Sequence, residues 1–110
     1  EIFAHVNETY RARAEYVARR VADIPFLAQP KQQGGLHAFL DIRKTGDTSA
    51  AFAQKLLARH GAAVIPGTAF GAAGEGFVRM ALRADIPKLE ALFNSVSHDE
   101  EWLCAAAGRA

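Results

Sequence analysis

The chain has 110 residues, half of them hydrophobic and 23% charged, with a formal net charge of +1. This describes one small domain that buries roughly 65% of its unfolded surface, and a charge balance this close to neutral leaves no electrostatic footprint for nucleic acid or an acidic membrane. The single cysteine, Cys104, excludes an intrachain disulfide and a multi-cysteine metal site, which fits a reducing compartment and a cytoplasmic location. No apolar run approaches the roughly 20 residues that cross a bilayer, and no charged-then-apolar leader opens the chain. Glu1 stands where a methionine would, already inside a helical pattern, so a piece of a longer protein or a processed product is expected.

The spacing of Ile2, Phe3, Val6, Tyr10, Ala14, Val17, Val21 and Ile24 predicts one amphipathic helix over 2–24. Arg11, Arg13, Arg19 and Arg20 fall mostly off the stripe, interleaved with Glu8, Glu15 and Asp23, as on a solvated face. Pro25 ends the helix. Residues 26–29 read as a short, weak strand. Residues 36–42 read as a strong one, with Leu36, Ala38, Leu40 and Ile42 on one face and His37, Phe39 and Asp41 on the other. A polar turn over 43–49 leads into a helix over 50–60, with Phe52, Ala53, Leu56 and Leu57 inward and Gly61 as C-cap. Residues 62–65 form a short strand, and the glycine-rich stretch 67–76 a tight exposed loop. The second strong strand, 77–83, alternates Val78, Met80 and Leu82 with Phe77, Arg79, Ala81 and Arg83. Asp85 caps a last helix whose buried stripe is Ile86, Leu89, Leu92, Phe93 and Val96, and Pro87 is tolerated in its first turn. The tail from Ser97 onward reads as partly helical or frayed.

The expected fold is α+β, a small twisted sheet with helices on one face. The helices cover the face of Leu36, Leu40, Val78, Met80 and Leu82. The other face shows His37, Phe39, Phe77 and Arg79, and its mixed character makes it a candidate binding surface.

Gly71-Ala-Ala-Gly74-Glu-Gly76 is not a phosphate loop, because its spacing is wrong, no Lys-Ser/Thr follows and the next element is a strand. Ser97-His98-Asp99 holds the names of a catalytic triad, but triad members meet in space and adjacency in sequence argues little for it. With Glu100 and Glu101 the same stretch offers metal-type ligands, yet it reads as polar helix-end chemistry. His5, His37, His60 and His98 lack paired ligand spacing, so no metal is expected, and Cys104 has no motif around it. Arg79 differs: a guanidinium between two apolar strand neighbours needs a partner. Its planar fork matches a carboxylate, which belongs either to a structural ion pair or to a ligand.

Two strings go further. Val64-Ile-Pro-Gly-Thr-Ala-Phe-Gly71 with Gly74-Glu-Gly76-Phe-Val-Arg79-Met-Ala-Leu82, and Gln33-Gly-Gly-Leu-His-Ala-Phe-Leu-Asp-Ile42 upstream, resemble the end of a class I/II aminotransferase in the fold-type-I pyridoxal-phosphate superfamily. The resemblance covers roughly residues 2–96. It implies that residues 1–110 are the C-terminal small domain of such an enzyme, with 1–24 a long leading helix and 97–110 a tail. It implies that Arg79 clamps the α-carboxylate of an amino acid or 2-oxo acid substrate. His37 stands where the family has Phe or Tyr lining the pocket, and Thr68 and Phe70 match a loop at the pocket mouth. Pyridoxal phosphate would be bound mainly by a large domain absent from this chain. Lys31, Lys44, Lys55 and Lys88 all lack the family's Schiff-base lysine context, so no catalytic or cofactor-binding residue is expected here and the piece alone should be inactive. The parent would be a homodimer that contacts neither nucleic acid nor membrane. Two other readings stay open: an aminotransferase-like effector domain of a transcription regulator, in which the same arginine senses an amino acid, and a stand-alone α+β binding module.

Overall fold

A computed structural model of the chain describes residues 2–30 and 36–108, with side chains from Glu8 onward. The side chains of Ile2, Phe3 and Val6, Lys31, and the 33–35 part of the upstream motif lie outside these residues.

Helix α1 (Ile2–Ala22) presents Val17 and Val21 to the core. Strand β1 is His37–Asp41, helix α2 Ser49–His60, strand β2 Ile65–Pro66, strand β3 Phe77–Ala81, helix α3 Ile86–Val96 and helix α4 Glu100–Gly108. The strands form one antiparallel sheet in the order β1-β3-β2. Four helices and three strands make the expected α+β fold.

Register explains the two faces. Ala38 pairs with Met80 and Leu40 with Val78, so these four share one face and join a single hydrophobic cluster with Val17, Val21, Phe52, Leu56, Leu89 and Phe93. Because side chains alternate, the pairs His37 with Ala81, Phe39 with Arg79 and Asp41 with Phe77 occupy the other face. The helices start and stop where local chemistry dictates. Thr48 caps α2 by accepting the Ala51 amide, and Asp85 caps α3 by accepting that of Lys88. Gly61 closes α2 in the left-handed region, at φ 72°, a conformation glycine adopts without a Cβ clash.

Several expectations do not hold. Residues 26–29 form no strand; a lone bridge joins Ala28 to Asp41 while Phe26 and Leu27 go into the core. Leu36 precedes β1 and is 54% exposed, so it is not part of the covered face. Leu57 (57% exposed) and Ile86 (37% exposed) flank the buried stripes of their helices instead of belonging to them. The strand expected over 62–65 is only Ile65–Pro66, and the glycine-rich stretch after it winds into two 3₁₀ turns, Gly67–Phe70 and Ala72–Gly74. The arginine face of α1 is not merely solvated. Arg13 donates to the carbonyls of Leu82 and Arg83, and Arg20 donates to Asn94.

The largest departure is the tail. It folds as α4 and delivers Trp102, fully buried, onto Phe52 at 4.5 Å between ring centroids and Phe26 at 5.5 Å.

Candidate functional site

The open face of the sheet carries two arginines in opposite situations. Arg43, just past β1, donates through Nε and Nη2 to both oxygens of Asp41, at 2.7–3.2 Å. That bond is the main cause holding the Asp41 carboxyl below its ordinary range. Arg43 is thus already neutralised, and its guanidinium lies 5.4 Å from the centre of the Phe77 ring.

Arg79 sits in the middle of the central strand, opposite Phe39 of β1 on one side and Ile65 of β2 on the other. Its Nε is buried and has no hydrogen-bond partner, and among the described residues no carboxylate meets the guanidinium. What it does have is an aromatic face: the Phe70 ring lies 4.3 Å from the guanidinium carbon. A cation–π contact of this kind is worth about 0.5–2 kcal/mol and fixes the plane of the fork. It does not satisfy the N–H donors. A half-buried guanidinium with a buried donor unused can accept a planar anion. The structural ion pair that the sequence left open for Arg79 is therefore not formed among the described residues.

Arg79 and His37 both line a groove of about 800 Å³ that opens between residues 61–65 and helix α3. Its floor is apolar, with Val64, Met80, Leu89 and Leu92, its rim adds Arg83, Lys88 and His60, and no carboxylate lines it. Thr68 is not in the groove; its carbonyl accepts the Gly71 amide and so closes the turn that carries Phe70. Of the expected site residues, Arg79 and His37 thus share the groove, Phe70 reaches it only through its contact with Arg79, and Thr68 closes the turn that carries Phe70.

The names seen in Ser97-His98-Asp99 do not assemble as a triad: Ser97 Oγ lies 3.4 Å from His98 Nδ1, but the carboxylate of Asp99 goes to another histidine. His98 faces the Asn94 carbonyl, and Ser97 Oγ donates to that same carbonyl. Asp99 instead meets His60, 39 residues away, at 2.8 Å, while the other imidazole nitrogen lies 2.7 Å from Ser95 Oγ. Asp99 also accepts the Trp102 amide as N-cap of α4 and pairs with Arg59. This cluster ties the ends of α2 and α3 to the start of α4. Beside it Lys55 bridges Asp47 and Glu101. No group of three or more metal-ligating side chains occurs among the described residues.

The Asp99 cluster has a pH consequence. Burial raises the Asp99 carboxyl, but the His60 bond, the Trp102 amide and the Arg59 charge outweigh it, and the net value lies below the ordinary 3.8. A depressed carboxyl stabilises the fold fully above its unfolded value, and that contribution is lost as pH falls through the lower folded value. Asp41 and Glu101 are shifted the same way. The urea midpoint of the chain should therefore fall steadily from about pH 5 to about pH 3. Asp99→Asn should lower the midpoint at neutral pH and flatten this slope. An unchanged slope would show that Asp99 is not a source of the acid sensitivity.

The cofactor implied by the sequence resemblance needs an amine for its aldehyde, an acid at its ring nitrogen and donors for its phosphate. Among the described residues Lys44 lines a small pocket with Asp41 and Arg43, but the Asp41 carboxylate is already held by Arg43. Lys55 is committed to Asp47 and Glu101, and Lys88 borders a groove without a carboxylate. The described residues thus do not fit that group by themselves.

Sequence reasoning missed Glu75 and Trp102. Glu75 is the one charged residue in a stretch of glycine and alanine, a signal that could have marked it. Its partner is Ser49, whose amide and hydroxyl it accepts at 2.8 and 3.1 Å.

Comparison with known proteins bears on the sequence and the fold. Residues 4–95 match the model of the family described as aminotransferase class I and II. The chain is 42% identical over 77 residues to an arginine–pyruvate transaminase of Pseudomonas aeruginosa, covering 70% of this chain and 20% of that protein. It is 33% identical over 91 residues to an aspartate aminotransferase of Pyrococcus horikoshii, covering 83% of this chain and 23% of that protein. Among solved structures, an aromatic aminotransferase from Pyrococcus horikoshii superimposes with a TM-score of 0.79 at 33% identity, over 89% of this chain and 26% of that one. The chain thus spans about a fifth to a quarter of the length of the relatives it matches.

Proposed function

This chain belongs to the class I and II aminotransferase family, and on that premise we propose that it is the C-terminal small domain of a pyridoxal-phosphate-dependent aminotransferase. The parent moves an amino group between an amino acid and a 2-oxo acid. This domain supplies Arg79, which receives the substrate α-carboxylate, and closes over a site whose cofactor is held by the rest of the protein. The observation that carries the reading is the contrast on the open face: Arg43 has its carboxylate in Asp41, while Arg79 has a buried Nε with no partner.

Pyridoxal phosphate, when bound, supplies the electron sink for the substrate. The task of this chain is orientation. A bidentate pair between Arg79 and the α-carboxylate fixes the substrate about two axes, and the Phe70 ring keeps the guanidinium plane from turning away. His37 shares the groove with Arg79 and presents a flat, hydrogen-bonding wall to the substrate side chain.

The test is an assay of the full-length protein loaded with pyridoxal phosphate. An amino-acid panel is offered with 2-oxoglutarate or pyruvate, and keto-acid product is measured. Turnover of at least one pair is expected, with none from the 110-residue chain alone. A loaded, folded protein that binds amino acids and turns none over would contradict the reading and point to an effector domain.

A further inference from the structure

The Arg79 clamp depends on Phe70, and Phe70 sits on a loop that would be soft if left to itself. Residues 67–76 contain Gly67, Gly71, Gly74 and Gly76; their two 3₁₀ turns are closed by short-range bonds, Gly71 to Thr68, Gly74 to Gly71 and Glu75 to Ala72, and the far end of the loop is tied where the Gly76 carbonyl accepts the Ile42 amide at 2.9 Å. The two turns are nevertheless pressed together. A side chain at Gly67 would run into the Gly74 carbonyl oxygen, and one at Gly74 into that of Gly67. Whatever holds residue 74 therefore holds residue 67 and the turn leading to Phe70.

Beside the Gly76 carbonyl's bond to Ile42, Glu75 supplies the side-chain hold. Its Oε2 accepts the Ser49 backbone amide at 2.8 Å and its Oε1 accepts the Ser49 hydroxyl at 3.1 Å. Ser49 is fully buried at the first turn of α2, which has no acidic residue of its own there. One of the otherwise unpaired amides of the helix start is satisfied by a carboxylate from the loop, where an anion is favoured.

We propose that Glu75 is a positioning residue for the Arg79 clamp. By pinning the 67–76 loop to the start of α2, it keeps the Phe70 ring against the guanidinium and the fork aimed at the substrate carboxylate. The proposal rests on the reading of Arg79 given above.

The test uses the full-length, cofactor-loaded protein and the amino acid that turns over fastest in the panel. Glu75→Ala should raise KM about tenfold with kcat within about twofold, the pattern for an interaction made equally in the ground and transition states. Glu75→Gln keeps a carbonyl acceptor and should recover most of the loss. Ser49→Ala removes only the hydroxyl arm and should raise KM about twofold, as the backbone bond remains. Hydrogen exchange gives the second readout, with the amides of Gly71, Gly74 and Glu75 expected to exchange faster in Glu75→Ala. If that variant does not fold, Glu75→Gln and Ser49→Ala carry the test.

A lower melting temperature or faster exchange with unchanged KM would overturn the proposal and leave Glu75 a purely structural cap. Arg79→Ala separates the two readings. If it raises KM and the Glu75 and Ser49 variants do not, only the positioning role fails. If Arg79→Ala itself leaves KM unchanged, the clamp reading fails and this proposal with it.

Discussion

Arg79→Ala is expected to lower kcat/KM of the full-length protein for amino acids by about 30-fold to 3,000-fold. Truncating one partner of a buried charge pair costs about 2–5 kcal/mol, and each 1.4 kcal/mol is about tenfold. The loss should depend on the substrate carboxylate. The decarboxylated amine of the same amino acid should be turned over poorly by both proteins, and to a similar degree. Stability should change less than for a structural arginine. Breaking an internal buried ion pair costs about 3–5 kcal/mol, but Arg79 strands no carboxylate among the described residues and its own Nε is already unpaired. The Arg79→Ala change removes the Phe70 contact, about 0.5–2 kcal/mol, but also the unpaired Nε, so the urea midpoint should fall far less than for a broken ion pair. Arg79→Lys keeps the charge and loses the planar fork, so it should recover only part of the activity. Kinetics on the acid and amine substrates together with urea unfolding check this. A large stability loss with unchanged kcat/KM would assign Arg79 to the fold.

Trp102→Ala is expected to have the largest effect on stability, about 3–5 kcal/mol. The indole is fully buried, stacks on Phe52 and meets Phe26, and lies under the Arg59 guanidinium at 4.9 Å. Its Nε1 donates to Asp47 at 2.9 Å. Truncation leaves a cavity between α4 and α2 and removes one partner of Asp47. Trp102→Phe keeps most of the ring and loses the donor, so a loss of about 1–3 kcal/mol is expected. Trp102 is the only tryptophan, so unfolding in urea must be followed by far-UV circular dichroism. A midpoint within error of the unaltered chain would mean that α4 is dispensable to the core. The effect should reach the site as well, because Asp47 stands two residues before Ser49, to which Glu75 is tied.

The parts legible in the sequence are those whose information is local. Ala38 and Leu40 alternate with His37 and Phe39, and Val78 and Met80 with Phe77 and Arg79, and this period places one set inside and the other on the open face. Thr48, Gly61 and Asp85 announce helix ends through their own side-chain or backbone chemistry. Arg79 is conspicuous as a charge between apolar neighbours, its fork points to a carboxylate, and the choice of a ligand carboxylate comes from the family resemblance. Leu36, Leu57 and Ile86 were misread because periodicity says which residues share a face and not how far the covering element extends. Trp102 was missed because a single large residue between acids and alanines makes no stripe. Its worth comes from Phe26, Phe52 and Asp47, which lie far away in the chain. Asp99 was read with its sequence neighbours, while its partner His60 comes from another helix. The decisive property of the site is also nonlocal: only the fold shows that Arg79 keeps a buried Nε without a partner and meets no carboxylate among the described residues.

The most direct test of the account is a crystal structure of the full-length, cofactor-loaded protein with a bound amino acid or 2-oxo acid. The α-carboxylate is expected on the Arg79 fork, with two nitrogen–oxygen distances of about 2.7–2.9 Å, and the Phe70 ring still against the guanidinium. A carboxylate bound elsewhere, with Arg79 facing no anion, would contradict it.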